Sequence, residues 1–339
     1  MEPASLTSGA LIRHPSHGLL LGEGPFLESA EPPAAGPAFY VNTFRLDDPK
    51  PWKIPTALHH LPEPESELPP APTIRWSEPA PDAYAQVFTE ILAHIAAGTL
   101  LKSVPATTQF GDMLPPHSPR ELIERVLNDS TAHYPYAWWA ETEGFCGSTP
   151  ETLFHQQGQR LTTMALAGTA RPEDAGVFIH DDKEIREHEI VAGAILSRLA
   201  PYGSVTRTPR GLLHLQTLIH FATYLTLEAE QNLPPEHWIR LLHPTPALGS
   251  QPRTEATLAQ LDEWRSRLRC PAHFGAPFGF LNDGDFFCVV GIRSLAWKGS
   301  RVALCTGGGV VASSTLTHEW RELKLKRDTV RHSFHLPSP

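Results

Sequence analysis

The stretch that most constrains this chain lies near its end. Thr306-Gly307-Gly308-Gly309-Val310-Val311 is followed, after a short polar patch, by Thr317-His318-Glu319-Trp320-Arg321-Glu322-Leu323-Lys324-Leu325-Lys326. It reads as strand, glycine turn, helix. Three successive glycines let a backbone approach a ligand closely and turn its N–H groups outward as an anion-binding nest. On the helix, Glu319 and Glu322 are three residues apart and share a face, with Lys326 one turn further along it. Oxygen donors of this kind suit a hard cation such as Mg²⁺ better than zinc, which prefers nitrogen and sulfur.

Alone, two glutamates three apart are the ordinary mark of a solvated helix face, so the rest of the chain must decide. Its 339 residues, 41% hydrophobic, suffice for one large domain or two ordinary ones with a sizeable core. A formal charge of −9 and no Lys/Arg-rich block argue against a nucleic-acid partner. Cys146, Cys270, Cys288 and Cys305 have no CxxC spacing and sit mostly in apolar, strand-like sequence, as buried thiols of a reducing compartment do. No basic-then-apolar leader and no apolar run of about 18 residues is present, so a cytoplasmic protein with no membrane partner is expected.

Residues 9 to 22 predict a hairpin of two short strands around His14-Pro-Ser-His17. Prolines crowd the stretch from Pro51 to Pro81, which excludes a long helix or a central strand and predicts surface wrapping. Residues 1–82 are therefore expected to be N-terminal strands and a wrapping segment of the same domain whose body is 83–339. Helical spacing marks Asp82 to Ala97, then Pro119 to Asn128, Asp181 to Leu199, Pro235 to Leu242 and Arg253 to Leu268. Strands are predicted at 100–104, 136–141, 145–148 and 160–166, in extended sequence from His214 to Leu227, and in two long runs, 275–281 and 286–297, joined by Asn-Asp-Gly.

The long helix from Asp181 carries a second pair, Glu184 and Glu187, again three apart. If the two glutamate-bearing helices face each other, four carboxylates converge and repel unless a divalent cation lies between them. Neither a GxSxG elbow nor a Walker loop occurs, and His188-Glu189 and His318-Glu319 lack the second histidine of HExxH.

The order of motifs resembles the chorismate-binding (chorismate-utilising) enzymes. The residues that carry the resemblance are Leu101-Lys102-Ser103-Val104, Gly147-Ser148-Thr149-Pro150-Glu151, Ala165-Leu166-Ala167-Gly168-Thr169 and Asp182-Lys183-Glu184-Ile185-Arg186-Glu187-His188. Then follow His214-Leu215-Gln216-Thr217, Leu242-His243-Pro244-Thr245-Pro246-Ala247, Val290-Gly291-Ile292-Arg293-Ser294, Gly307-Gly308-Gly309 and Glu319-Trp320-Arg321-Glu322. Two departures are Pro105-Ala106-Thr107-Thr108 after the lysine and a short connection from Gly168 to Glu187.

The resemblance implies an α/β (α+β) fold of two packed antiparallel sheets with helices outside. In such enzymes a lysine at the position of Lys102 with a glutamate at that of Glu151 marks addition of water to chorismate, where aminating members carry glutamine for the lysine. Ala247, where salicylate synthases carry threonine, favours isochorismate as the product. The alternatives are a salicylate synthase, an aminating anthranilate or aminodeoxychorismate synthase component, and a catalytically silent binding module. By the same resemblance Glu187 and Glu322 would hold Mg²⁺ directly, and Glu184 and Glu319 through waters. Gly168, Thr169, Arg293, Gly307, Gly309 and Lys326 would meet the substrate carboxylates, with His214 beside the ring. No amidotransferase partner is implied, and a monomer is expected. The product would serve menaquinone, siderophore or salicylate synthesis. Burial among Leu100, Leu101 and Val104 would suit Lys102 to be a base, while Glu151 must stay protonated as the acid.

Overall fold

The computed structural model describes residues 6–63, 68, 70–127, 134–215 and 218–337. Two antiparallel sheets pack face to face. One runs, in spatial order, Ala57–Leu61, Gly18–Glu23, Ser8–His14, Tyr134–Ala140, Glu143–Thr149, Ser294–Lys298, Arg301–Gly307, Ala106–Met113 and Ile74–Trp76. The other runs Gly203–Arg207, Ile219–Ala229, Arg160–Ala170, Thr152–Gln157, Asp285–Val290, Pro277–Asn282, Ala38–Val41, Trp52–Ile54 and Leu27–Ser29, with Gly211–His214 paired to Ile219–Ala229 off this path.

Between the sheets lies an apolar layer to which both contribute, including Ile12, Leu20, Phe39, Tyr136, Phe278 and Phe287. The outer face of the second sheet is covered by Asp182–Leu199 and Pro235–Leu242, which bury Val191, Ile195, Trp238 and Leu242 against it. The outer face of the first is covered by Glu121–Leu127 and by the end of Leu316–Ser333. The start of that last helix packs on Pro81–Ala96, with Tyr84 and Trp320 rings 5.4 Å apart. The expected sandwich with helices outside is thus the fold, and the strands before residue 82 are woven into both sheets.

Local chemistry explains the element ends. Asp181 caps its helix by accepting from the N–H groups of Lys183 and Glu184, and Thr254 closes a capping box with Thr257. Strands inside the proline-dense stretch are short and lie in outer positions of the sheets, where a missing N–H costs little.

Two expectations are corrected. Residues 100–104 form no strand: Lys102 and Ser103 make isolated bridges to Gln251 and Val310. The run 286–297 is broken at Gly291–Arg293, where Arg293 has φ of 54° and the chain crosses from one sheet to the other. The strands Gly203–Arg207 and Thr152–Gln157 were not anticipated. The end of the expected helix at Asn128, and Gln216 and Thr217, lie outside the described residues.

Candidate active site

The chain passes between the sheets at two adjacent places, Pro150-Glu151 and Gly291–Arg293. They are stitched together: the Val290 N–H donates to the Glu151 carbonyl at 3.0 Å, and the Ser148 N–H to the Arg293 carbonyl at 3.2 Å. Glu151 and Arg293 therefore emerge side by side into a cavity of about 800 Å³, counting its open mouth. Of the residues expected at the site, Glu151, Gly168, Thr169, Glu184, Glu187, Ala247, Arg293, Gly307, Gly309, Glu322 and Lys326 line this cavity.

Lys102 lies just behind the wall. It is 1% exposed, and its Nζ donates to Glu187 Oε1 at 2.7 Å. Its surroundings are less apolar than expected, since Leu101 points outward while Leu100 and Val104 are buried. Glu151 is 3% exposed, and burial pushes its carboxyl up to about 7, against the opposing pull of the Thr245 hydroxyl and of Lys102. The Thr245 hydroxyl donates to Glu151 Oε1 at 3.0 Å.

The glycine triplet does not form the expected nest. None of the three residues adopts a positive φ, the Gly308 N–H is used by the Pro105 carbonyl, and the Gly307 carbonyl accepts from Lys326 Nζ at 3.0 Å. Room is what requires glycine at position 309, while a Cβ on Gly308 would make only ordinary contact. A Cβ on Gly309 would sit 2.6 Å from Glu187 Oε1 and 2.8 Å from Lys102 Cε, and one on Gly308 would be 3.5 Å from Glu319 Oε2. The triplet is a bare strip of backbone over which the carboxylates of both helices close.

Three of those four carboxylates have a lysine: Glu187 has Lys102, Glu184 has Lys183 at 3.2 Å, and Glu322 has Lys326 at 2.7 Å. Glu184 also accepts from the Thr169 N–H, and its carboxyl is shifted upward by burial and by Glu187. Burial pulls the Glu322 carboxyl upward, but the charge and hydrogen bond of Lys326, together with Lys183 and His318, shift it downward overall. Glu319 is fully buried, and among the described residues neither of its oxygens makes a well-aligned hydrogen bond; burial shifts its carboxyl upward against the opposing pull of the Ser314 hydroxyl, Glu322 adds to the rise, and His318 Nδ1 stands 3.9 Å from Oε1. A buried carboxylate with so little to meet it costs folding free energy, which a cation would offset. The four carboxylates fit a hard divalent cation, with the exposed His318 imidazole beside Glu319 and Glu322 as a nitrogen donor.

His214 is corrected. It is exposed on the outlying Gly211–His214 strand and stands outside the cavity wall. The histidine in the wall is His220, on the long Ile219–Ala229 strand and 5% exposed. Its Nδ1 lies 2.8 Å from the Gly168 carbonyl and 3.1 Å from Thr169 Oγ1. Burial, aided by Arg293, lowers it to about 3, so the ring is neutral. With the proton on Nδ1, its Nε2 accepts from the Arg293 guanidinium at 3.3 Å and fixes that group's direction. A histidine inside the apolar run Ile219-His220-Phe221-Ala222 was the signal available in the sequence.

The family model described as chorismate binding enzyme matches residues 50–334. The chain is 30% identical over 229 residues to isochorismate synthase EntC of Escherichia coli strain K12, covering 63% of this chain and 57% of that protein. It is also 30% identical over 261 residues to the salicylate biosynthesis isochorismate synthase of Pseudomonas aeruginosa, covering 72% and 53%. The chain spans about half the length of these curated relatives. In fold it is similar to MenF, the menaquinone-specific isochorismate synthase of Escherichia coli, with a TM-score of 0.79 at 19% identity over 98% of this chain and 90% of that one. With the family match spanning most of the sandwich and both glutamate helices, the chain belongs to the chorismate-binding enzymes.

Proposed function

We propose that this chain is an isochorismate synthase that adds water at C2 of chorismate and expels the C4 hydroxyl, dependent on Mg²⁺ and needing no amidotransferase partner. The observation that carries the reading is a buried carboxyl shifted to about 7, Glu151, on the wall of a cavity that has the buried lysine Lys102 behind it. A displacement of this kind needs one group to take a proton from water and another to give one to the departing hydroxyl. Glu151, protonated at and below neutrality, supplies the proton, and Lys102 takes the other. The proton count is unchanged overall.

Arg293, held by His220, and Lys326 offer donors for the substrate's carboxylates. Glu187 and Glu322, backed by Glu184 and Glu319, would hold Mg²⁺, which when bound draws electron density from the ring carboxylate and the diene. Glu187 Oε1 now accepts from Lys102, so that oxygen serves either the lysine or a cation. Ala247 in the wall supports release of isochorismate.

Incubation with chorismate and Mg²⁺ followed by chromatography tests this. Isochorismate alone is expected; salicylate with pyruvate would establish a lyase instead, and no turnover would refute the assignment. Lys102→Ala should lower turnover by roughly 10²–10⁴-fold with chorismate binding retained, and unchanged turnover would remove Lys102 from its role.

A further inference from the structure

At the far end of the sandwich, three histidines converge on one carboxylate. His14 closes a strand of the first sheet, His17 stands in the turn that follows, and His155 and Asp285 lie on neighbouring strands of the second sheet. His155 Nε2 is 2.5 Å from Asp285 Oδ1, His14 Nε2 is 3.7 Å from the same oxygen, and His17 Nε2 is 3.8 Å from Oδ2. Ligand atoms of His14, His155 and Asp285 all lie within 4.8 Å of one another. His14 is 1% exposed, and among the described residues the Nε2 atoms of both His14 and His17 are buried without a hydrogen-bond partner. Asp285 is five residues from Val290, whose N–H meets the Glu151 carbonyl, so the cluster is roughly 16 Å from the cavity.

We propose that His14, His17, His155 and Asp285 form a transition-metal site, with Zn²⁺ the occupant their donors select, that clamps the first hairpin to the second sheet. His14, His155 and Asp285 already converge, and His17, outside that group but 3.8 Å from Asp285 Oδ2, supplies the fourth donor of a tetrahedral zinc site by a turn of its side chain; these nitrogen donors suit Mg²⁺ poorly. Ligation through the Nε2 atoms of His14 and His155 requires the ring proton on Nδ1 in both: His14 Nδ1 now accepts from the Ser16 N–H at 3.1 Å, and His155 Nε2 now shares a proton with Asp285 Oδ1 at 2.5 Å. Ser16 is exposed at the hairpin tip, so that its N–H can turn to water, and two hydrogen bonds are small beside the metal–ligand bonds gained. Gln157 Nε2 donates to Asp285 Oδ2 at 3.3 Å and orients the carboxylate from outside.

The test uses the full chain, stripped with chelator and returned to zinc in excess Mg²⁺, which occupies the carboxylate cluster. After gel filtration, metal analysis should give one zinc per chain, and Co²⁺ in its place should show the visible absorption of a tetrahedral site. His17→Ala, at a partly exposed turn residue, and Asp285→Asn should each weaken zinc binding at least tenfold and remove the rise in unfolding temperature that zinc produces. Circular dichroism verifies that both variants fold. No retained zinc, or retention unchanged in both variants, would overturn the site and leave a hydrogen-bonded histidine–aspartate cluster.

Discussion

Glu151 shows how a single residue acquires its chemistry from place alone. A carboxyl in water loses its proton near ~4.3, and burial at the crossover holds this one to about 7. The sign follows from the cause: removing a group that favours the charged form raises the value further. Thr245 is such a group, donating its hydroxyl to Glu151 Oε1. If Glu151 is the acid, kcat/KM falls as pH rises through about 7, where the working protonated form is lost. Thr245→Val should move that falling limb to higher pH. A limb that stays in place, or moves down, would assign the titration to another group. Lys102 has a different placement logic. Its position is set by backbone bridges to Gln251 and its head group by Glu187, and as the proposed base it can take a proton only with that head group in its neutral form.

At the scale of elements, the informative segment is the glycine strip. The sequence suggested an anion nest because three glycines permit one, but permission is not requirement: none of the three takes a positive φ, and at Gly309 the lack of a Cβ is what matters. Gly309→Ala places a methyl against Glu187 Oε1 and Lys102 Cε at under 3.0 Å, so the Lys102–Glu187 pair must part or the strip must shift. The cost expected for such overpacking is about 1–3 kcal/mol. Thermal unfolding should register it, together with loss of turnover, whereas Gly299→Ala in an open turn should leave turnover intact. Helices were legible from sequence because apolar spacing and capping residues are local: Asp181 and Thr254 mark helix starts within about a residue of the expected positions. The crossover at Gly291–Arg293 was not. Its residues continue the apolar pattern of the strand before it, and only the switch of partner sheet, a long-range property, interrupts it. The same reason hid His220 behind His214. Both sit in extended sequence, and which of them faces the cavity depends on strand pairing rather than on spacing.

Over the whole molecule, the site is assembled from residues as distant as Lys102 and Lys326, contributed by the two inter-sheet crossovers, by the glycine strip and by two helices that do not neighbour each other in sequence. Such a site forms only when both sheets and their outer helices are in place, so whatever binds it stabilises the fold as a unit. Its electrostatics oppose folding. Three lysines answer three glutamates, and Glu319 is left fully buried with no lysine of its own among the described residues, only the Ser314 hydroxyl and the His318 ring near it. A cation in the cluster would relieve that opposition, and at about a hundred times its Kd it would add about 2.7 kcal/mol. Removing the charge would relieve it by another route. Glu319→Gln should therefore raise the unfolding temperature of the metal-free protein and at the same time reduce the further rise that Mg²⁺ produces in the unmodified chain. The two effects have opposite signs in one variant, which a generally stabilising or generally damaging substitution would not give. If Glu319→Gln lowers the metal-free unfolding temperature, the carboxylate is satisfied by the protein itself; if the Mg²⁺ response is undiminished, the cation binds without Glu319.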